Sequence, residues 1–91
     1  MVRILQTPTF KRAVKRLHHQ QKLALDESIR AIAEAPDIGE AKVGDLAGVR
    51  VHKFKMDKQS MLLAFEVSDG EGVVKLLALG SHENFYRDLK R

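Results

Sequence analysis

The chain has 91 residues, 44% of them hydrophobic and 31% charged, with no cysteine and a net charge of +4. This composition is typical of one small globular domain and excludes disulfide frameworks and thiolate chemistry. No apolar run approaches the roughly 20 residues of a membrane-spanning helix, and the first residues lack the apolar core of a signal peptide. We therefore expect a single cytoplasmic domain over residues 1–91, with no membrane partner.

Charge is unevenly distributed along the chain. Residues 1–25 contain six basic and no acidic residues, whereas residues 26–48 contain six acidic and two basic residues. A net positive charge favours a polyanionic partner without identifying it. The same distribution also fits two ordinary solvated helix faces, so both interpretations stand at this point.

The first half of the chain predicts one strand and two helices. "VRIL" is a short apolar, β-branched run, and Thr7 is suited to cap a helix whose first residue is Pro8. Two segments with helical spacing follow, with a bend at "HHQQ" and Pro36 after the second. Their apolar stripes predict a helix hairpin and comprise Phe10, Ala13, Val14 and Leu17 in one helix and Leu25, Ile29 and Ile32 in the other.

The second half predicts a sheet. A glycine-containing loop, which could include a short edge strand, comes first. Three predicted strands follow it, "VRVHKFKM", "SMLLAFEV" and "VVKLLALG". "SHENFYRDLKR" predicts a short terminal helix that Ser81 would cap. The order β-α-α-β-β-β-α predicts an α+β fold in which the helix hairpin packs on an antiparallel sheet.

Motifs for metals, cofactors and hydrolases are missing from the sequence. The four histidines form no HxH or HExxH pattern, and there are no cysteines to complete a metal site. "GDLAGV" lacks the lysine and hydroxyl residue of a phosphate-binding loop, and no serine-hydrolase elbow is found. We expect neither a metal nor a cofactor.

Two lysines on one predicted strand are the first candidate site. In "RVHKFKM", Phe54 and Met56 have the character of core residues, so Lys53 and Lys55 would project from the opposite face of the sheet. Two neighbouring ammonium groups repel each other unless an anion such as phosphate lies between them. The alternative is that both are solvated lysines with their stems flat on the sheet.

The tail supplies a second candidate pair. His82 and Tyr86 are four residues apart and would share a helix face, with Arg87 close by. A helix N-terminus favours a neutral imidazole, which can act as a base, and a phenol can donate a proton or stack on a nucleobase. The alternative is that His82 belongs to the helix cap and Tyr86 is a packing aromatic.

Taken together, the basic helix hairpin, "LAGVRVHKFKM", "MLLAFEV" and "VVKLLALGSHENFY" resemble the RelE/ParE superfamily of bacterial toxins over nearly the whole chain. The resemblance implies a two-helix, one-sheet fold and a cognate antitoxin that wraps the toxin. RelE-like members cut messenger RNA on the ribosome, whereas ParE-like members poison DNA gyrase without catalysis.

The resemblance to RelE-like and YafQ-like nucleases also implies site residues. Lys53 and Lys55 would match the basic strand residues on the RNA side, and His82 and Tyr86 the imidazole and aromatic of the C-terminal segment. One position departs from the pattern. The middle-strand arginine near the scissile phosphate falls at about Met61 or Leu62 here, so Arg50 or Arg87 would have to replace it.

The sequence favours one function and leaves two alternatives. We expect a metal-independent messenger-RNA endonuclease in which His82 is the acid/base, Lys53 and Lys55 contact phosphate and Tyr86 positions the nucleotide. Ribosomal RNA would dock on basic residues of the first helix, Lys11, Arg12, Lys15 and Arg16. The alternatives are a gyrase-poisoning binder and a nonspecific basic nucleic-acid-binding module.

Overall fold

A computed structural model describes residues 3–68 and 72–81 of the chain. The elements, in chain order, are β1 (Arg3–Gln6), α1 (Pro8–Lys15), α2 (His19–Glu34), β2 (Glu40–Ala41), a 3₁₀ turn (Gly44–Leu46), β3 (Arg50–Met56), β4 (Gln59–Ser68) and β5 (Val73–Ser81). The predicted helix hairpin and the three late strands are confirmed. The predicted terminal helix falls on residues 82–91, outside the described part, and its predicted cap Ser81 is the last residue of β5.

The five strands form one sheet in the order β1-β5-β4-β3-β2. All neighbouring pairs are antiparallel except β1 and β5, which run parallel. The predicted antiparallel sheet is therefore confirmed, with one parallel pair at its edge. Both helices and three strands separate β1 from β5 in the chain. A connection of this length is long enough for two neighbouring strands to run parallel.

Capping by Thr7 fixes where α1 begins. The Thr7 hydroxyl oxygen accepts a hydrogen bond from the Phe10 backbone N–H at 3.1 Å, and Pro8 occupies the first helical position, as predicted. The same hydroxyl donates to the Leu77 carbonyl of β5 at 2.9 Å. One side chain thus starts the helix and anchors it to the sheet.

The helices cover one face of the sheet, which we call the helix face. Phe10 of α1, together with Leu25 and Ile32 of α2, packs on this face in a single buried cluster, as the helical stripes predicted. The sheet contributes alternate residues of its three long strands to this cluster: Met56, Met61, Leu63, Phe65, Val74 and Leu76. The intervening residues of the same strands lie on the opposite face.

A smaller apolar cluster lies on that opposite face. It contains Val49, Val51, Leu62, Ala64 and Ala78, with Leu46 and Leu77 packed against it. A β-bulge at Ala64/Phe65 in the pairing of β4 with β5 brings Leu77 and Ala78 into the cluster together. Both faces of the inner strands are thus partly buried, which explains their near-continuous apolar sequences.

Candidate functional site

Strand β3 separates two sets of side chains by strict alternation. Met56 is buried on the helix face and Phe54 packs against the same cluster, as predicted. Lys53 and Lys55 are exposed on the other side. We call their surroundings the lysine face, defined by the β3 and β4 residues that share it: Val51, Lys53, Lys55, Ser60, Leu62 and Ala64.

The two lysines lie beside an apolar floor. Across the β3–β4 pairing, Lys53 lies opposite Leu62, which in turn pairs with Gly80 of β5. Lys55 lies opposite Ser60, and its Nζ donates a hydrogen bond to the Ser60 Oγ at 3.1 Å. Cationic heads above small and apolar residues form a surface that can bind a phosphate by charge while its floor contacts sugar or base.

The middle of the lysine face carries no cation at the position where the family resemblance expects one. Met61 is buried on the helix face and pairs with Phe54, so it cannot be the matching position on the lysine face. Leu62 does lie on the lysine face, and it is only 4% exposed. A buried apolar group, not a cation, therefore lies between Lys53 and Gly80.

Arg50 does not join the lysines. It alternates with Val51 on β3 and therefore lies on the helix side of the sheet. Its Nε donates to the Ile38 carbonyl at 3.2 Å, and its Nη2 donates to the carbonyls of Asp37 and Gly39. The guanidinium thus binds the backbone segment that leads from α2 into β2. Its planar arrangement of several N–H donors allows it to bond neighbouring carbonyls at the same time.

His52 is also on the helix side, and half-buried. Its ring is stacked on Phe54, with centroids 6.0 Å apart and an interplanar angle of 10°. Burial removes water from the imidazolium form and lowers the pKa of His52 below its usual 6.5. Burial therefore favours the neutral imidazole of this histidine, which lies on the face opposite the two lysines.

The basic residues of α1 form a second, separate surface. Lys11, Arg12, Lys15 and Arg16 are all exposed, on the side of α1 that faces away from buried Phe10. Because α1 covers the helix face, this surface and the lysine face look out from opposite sides of the molecule. The structure brings Lys53 and Lys55 together but keeps both apart from the α1 cations.

The predicted tail residues His82, Tyr86 and Arg87 lie outside the described residues, so their roles stay predictions. The chain reaches them from Ser81, which pairs with Met61 at the end of β5. Residue 61 is next to Ser60, the hydrogen-bond partner of Lys55. The strand that leads to His82 therefore ends at the same end of the sheet as Lys55.

Within residues 3–68 and 72–81, no three His, Asp or Glu side chains are grouped closely enough to hold a metal ion. Neither α1 nor α2 has the length and apolar character of a membrane-crossing helix.

A family model decides the relationship. The model of ParE-like toxins of type II bacterial toxin–antitoxin systems matches residues 4–90. The chain belongs to this family. It is thus a toxin of the RelE/ParE superfamily, as the sequence resemblance implied. A search of curated proteins found no match.

Solved structures show that the toxin shares the RelE-like fold. The E. coli RelBE toxin–antitoxin complex contains a chain that is 17% identical with a TM-score of 0.72, and the alignment covers 89% of this chain and 96% of that one. A YoeB/ParE toxin from Agrobacterium tumefaciens is 16% identical with a TM-score of 0.72, covering 89% and 99%. A conserved hypothetical protein from Helicobacter pylori is 22% identical with a TM-score of 0.60, covering 91% and 97%.

One polar cluster of the toxin was not predicted from its sequence. His18 caps α2: its Nδ1 accepts a hydrogen bond from the Gln21 backbone N–H (3.4 Å), and the Gln21 side chain accepts one from the His18 backbone N–H (3.1 Å). The His18 Nε2 contacts the Asp57 carboxylate at 2.9 Å. The spacing of His18 and Gln21 follows the capping-box pattern and could have revealed the cap, whereas Asp57 is 39 positions away and gives no local signal.

Proposed function

We propose that this toxin is a messenger-RNA endoribonuclease that acts on the ribosome. The observation that carries the proposal is the exposed pair Lys53 and Lys55, held two residues apart on one face of a rigid strand. β3 is hydrogen-bonded to the central strand β4. Side chains on such a strand are positioned more precisely than side chains on a loop. Two such cations are suited to hold one phosphate and stabilise the charge that develops on it.

The reaction we propose needs no metal. A base removes the proton of the 2′-OH, which attacks the adjacent phosphorus, and an acid protonates the 5′ oxygen as the P–O bond to it breaks. His82 is proposed as the acid/base group, and Lys53 and Lys55 as the phosphate contacts. Tyr86 is proposed to position the nucleotide beside the cut. The end of β5 at Ser81 supports this grouping because it delivers the chain to the end of the sheet that carries Lys55.

Dependence on the ribosome is supported by the two basic surfaces. The lysine face and the cations of α1 look out from opposite sides, so a short single-stranded message cannot contact both. A ribosome offers RNA on more than one side of a bound protein. We therefore propose that Lys11, Arg12, Lys15 and Arg16 dock on ribosomal RNA while the lysine face meets the message, both in the cytoplasm. Such docking weakens steeply with salt.

The proposed protein partner is a cognate antitoxin. The E. coli structure with the same fold is a toxin–antitoxin complex of RelB and RelE, and a RelE variant was solved with a RelB peptide. Membership of a toxin–antitoxin family supports an equivalent partner for this chain.

The test is to map the 5′ ends of messages in a purified translation system after adding the toxin. We expect new ends in translated messages and none in ribosome-free RNA. His82→Ala and the double variant Lys53→Gln/Lys55→Gln should each reduce cleavage by about 10²–10³-fold. The matched control is Lys75→Gln, an exposed lysine of β5 at the opposite end of the same sheet face, which should cut like wild type. If His82→Ala and the double variant both cut at the wild-type rate, the proposed site is wrong.

A second function is favoured by one observation. Leu62 places an apolar group where RelE-like nucleases carry their arginine, which suits a toxin that binds DNA gyrase without catalysis. Supercoiling assays with purified gyrase separate the two functions. Inhibition with trapped double-strand breaks, together with intact messages in the translation system, would select the gyrase inhibitor.

A further inference from the structure

The central strand β4 contributes one polar side chain to the lysine face, that of Ser60. It lies directly opposite Lys55, and its Oγ accepts a hydrogen bond from the Lys55 Nζ at 3.1 Å. The resemblance to RelE-like nucleases expects an arginine slightly later on this strand, where the chain has apolar residues. Arg50 cannot take that role, because it is bonded to backbone carbonyls on the other side of the sheet. Ser60 is therefore the polar group that β4 itself places beside the two lysines.

The β3–β4 hairpin fixes Ser60 and Lys55 relative to each other. A two-residue turn joins the strands, and Met56 pairs with Gln59 at its base. A pair that closes such a turn is hydrogen-bonded, so the next pair, Lys55 with Ser60, is a non-hydrogen-bonded one. Its Cα atoms lie about 4.5 Å apart, and its side chains approach each other more closely than in the other kind of pair. The contact between ammonium and hydroxyl thus follows from the register of the hairpin.

The carboxylates of the described residues leave this group cationic. Within residues 3–68 and 72–81, neither Lys53 nor Lys55 forms an ion pair with an acidic side chain. The acid nearest to them in the chain, Asp57, contacts the His18 Nε2 at 2.9 Å instead. Glu66 of β4 lies about 13 Å along the strand beyond the level of Lys53. Two cations and a hydroxyl thus share one end of the sheet face, which favours an anion there.

The three side chains also carry more hydrogen-bond donors than acceptors. Each ammonium group has three N–H donors, and Ser60 uses one of those on Lys55. Since the Ser60 Oγ accepts this bond, its own O–H hydrogen points elsewhere, and no residue of the described ranges accepts it. Lys53 is opposite the apolar Leu62 and is not oriented in this way. A phosphate has oxygens on several sides and can accept from all three groups together.

We propose that Ser60 is a third phosphate contact of the toxin and the residue that positions Lys55. Its Oγ holds the Lys55 ammonium over the lysine face, and its O–H donates to a non-bridging oxygen of the phosphate that both lysines bind. Ser60 thereby supplies from β4 a polar contact that the family resemblance expects from an arginine, without the charge. The proposal rests on the proposed function, because it assigns this face to a phosphate of the message.

The experiment measures binding and cleavage separately. The binding probe is a five-nucleotide single-stranded RNA with 2′-O-methyl groups, which cannot be cut because the attacking hydroxyl is blocked. NMR titration of the full chain at low salt gives its Kd. We expect Ser60→Ala to raise this Kd about tenfold, because a hydrogen bond to a charged group is lost. Cleavage in the translation system should also fall about tenfold, which is less than the loss expected for the double lysine variant.

Two further serine variants are the controls. Ser60→Thr keeps the hydroxyl on a residue suited to strands, and it should bind and cut within about threefold of wild type. Ser68→Ala removes the same group from an exposed position at the far end of the same strand and sheet face, and it should match wild type. Urea unfolding confirms that each variant is folded.

Salt dependence separates a direct phosphate contact from an effect through Lys55 alone. Lys55→Gln removes a cation, so the slope of log Kd against log salt concentration should fall by about 0.7. Ser60→Ala removes a neutral donor, so its slope should equal that of wild type although its Kd is higher. In the Lys55→Gln background, Ser60→Ala should still weaken binding about threefold, because the O–H contact is lost there as well.

Four results would overturn the proposal. The first is a failure of the wild-type toxin to bind the probe at the lysine face, and the second is wild-type binding by Ser60→Ala. The third is an equal loss in Ser60→Thr, which would make the hydroxyl irrelevant. The fourth is no further loss when Ser60→Ala is added to Lys55→Gln.

Failure of this proposal and failure of the proposed function give different results. Intact messages in the translation system, together with probe binding that depends on Ser60, would leave Ser60 a phosphate contact while the nuclease proposal fails. Message cleavage by the wild-type toxin, with Ser60→Ala binding and cutting equally well, would leave the nuclease proposal standing and remove Ser60 from the site.

Discussion

The two faces of the sheet are built from the same strands and differ in what they do with charge. On the helix face, the polar residues of β3 are used internally, since Arg50 binds backbone carbonyls and His52 stacks on Phe54. On the lysine face, Lys53 and Lys55 reach solvent. The comparison teaches that alternation along one strand can separate the residues that stabilise a small domain from those available to a partner.

The largest expected effect tests which face holds the core. Leu63→Ala removes a fully buried side chain from the helix face, and we expect it to lower the free energy of unfolding by about 3–5 kcal/mol. Leu62→Ala is the matched control on the other face and should lower it by about 2–3 kcal/mol, because the cluster there is smaller. Urea denaturation measures both. A larger loss for Leu62→Ala would reverse the assignment of the main core.

The next-largest effect on stability is expected when two cations of β3 that lie on opposite faces are replaced in turn. Arg50→Gln removes the bonds to the carbonyls of residues 37–39 and should destabilise the toxin by about 1–2 kcal/mol. Lys53→Gln should change stability by no more than about 0.5 kcal/mol, because its ammonium group is exposed. Equal losses in the two variants, measured by thermal or urea unfolding, would contradict the division of roles.

A smaller effect, of opposite sign, is expected at the tip of the β3–β4 hairpin. Asp57 and Lys58 both have positive φ, 51° and 68°, which side-chain-bearing residues rarely adopt. Lys58→Gly creates the Asp-Gly pair that this turn prefers and should stabilise the toxin by about 0.5–1 kcal/mol. Lys58→Ala is the control, since alanine gains nothing at that φ. No stabilisation by glycine would mean that the turn is not strained.

The smallest effect is a pH dependence from His52. Its pKa is lowered in the fold by burial, so the unfolded chain, with a pKa near 6.5, binds the proton more readily. The contribution of neutral His52 is therefore fully present above about pH 6.5 and is lost as the pH falls below that value. Urea unfolding at pH 7.5 and pH 5 should show wild type losing more stability than His52→Gln on acidification. Identical losses would mean that His52 is not desolvated.

Local sequence patterns predicted most of the elements correctly. Thr7 and Pro8 predicted the start of α1, and the apolar stripe through Phe10 predicted its buried side. Alternation in β3 correctly placed Lys53 and Lys55 on the face opposite Phe54 and Met56. These predictions succeeded because capping and side-chain periodicity act over a few residues.

Long-range contacts were the part that sequence patterns did not predict. Arg50 was considered a phosphate contact, yet its guanidinium binds backbone carbonyls, which are present in every sequence and leave no signal. His18 and Asp57 meet across the fold, and nothing near either residue indicates the other. The parallel pairing of β1 with β5 was likewise not predicted, because strand composition does not specify a strand's neighbour.

By itself, the sequence determined the α+β architecture, the helix hairpin, the division of β3 into two faces and the resemblance to RelE/ParE toxins, because local periodicity and capping specify these features. Only the tertiary structure decided that Arg50 serves the fold, that Leu62 fills the middle of the lysine face and that β1 pairs in parallel with β5. Each of these outcomes depends on how close two segments that are far apart in the sequence lie in the fold. Packing of the whole chain sets those distances.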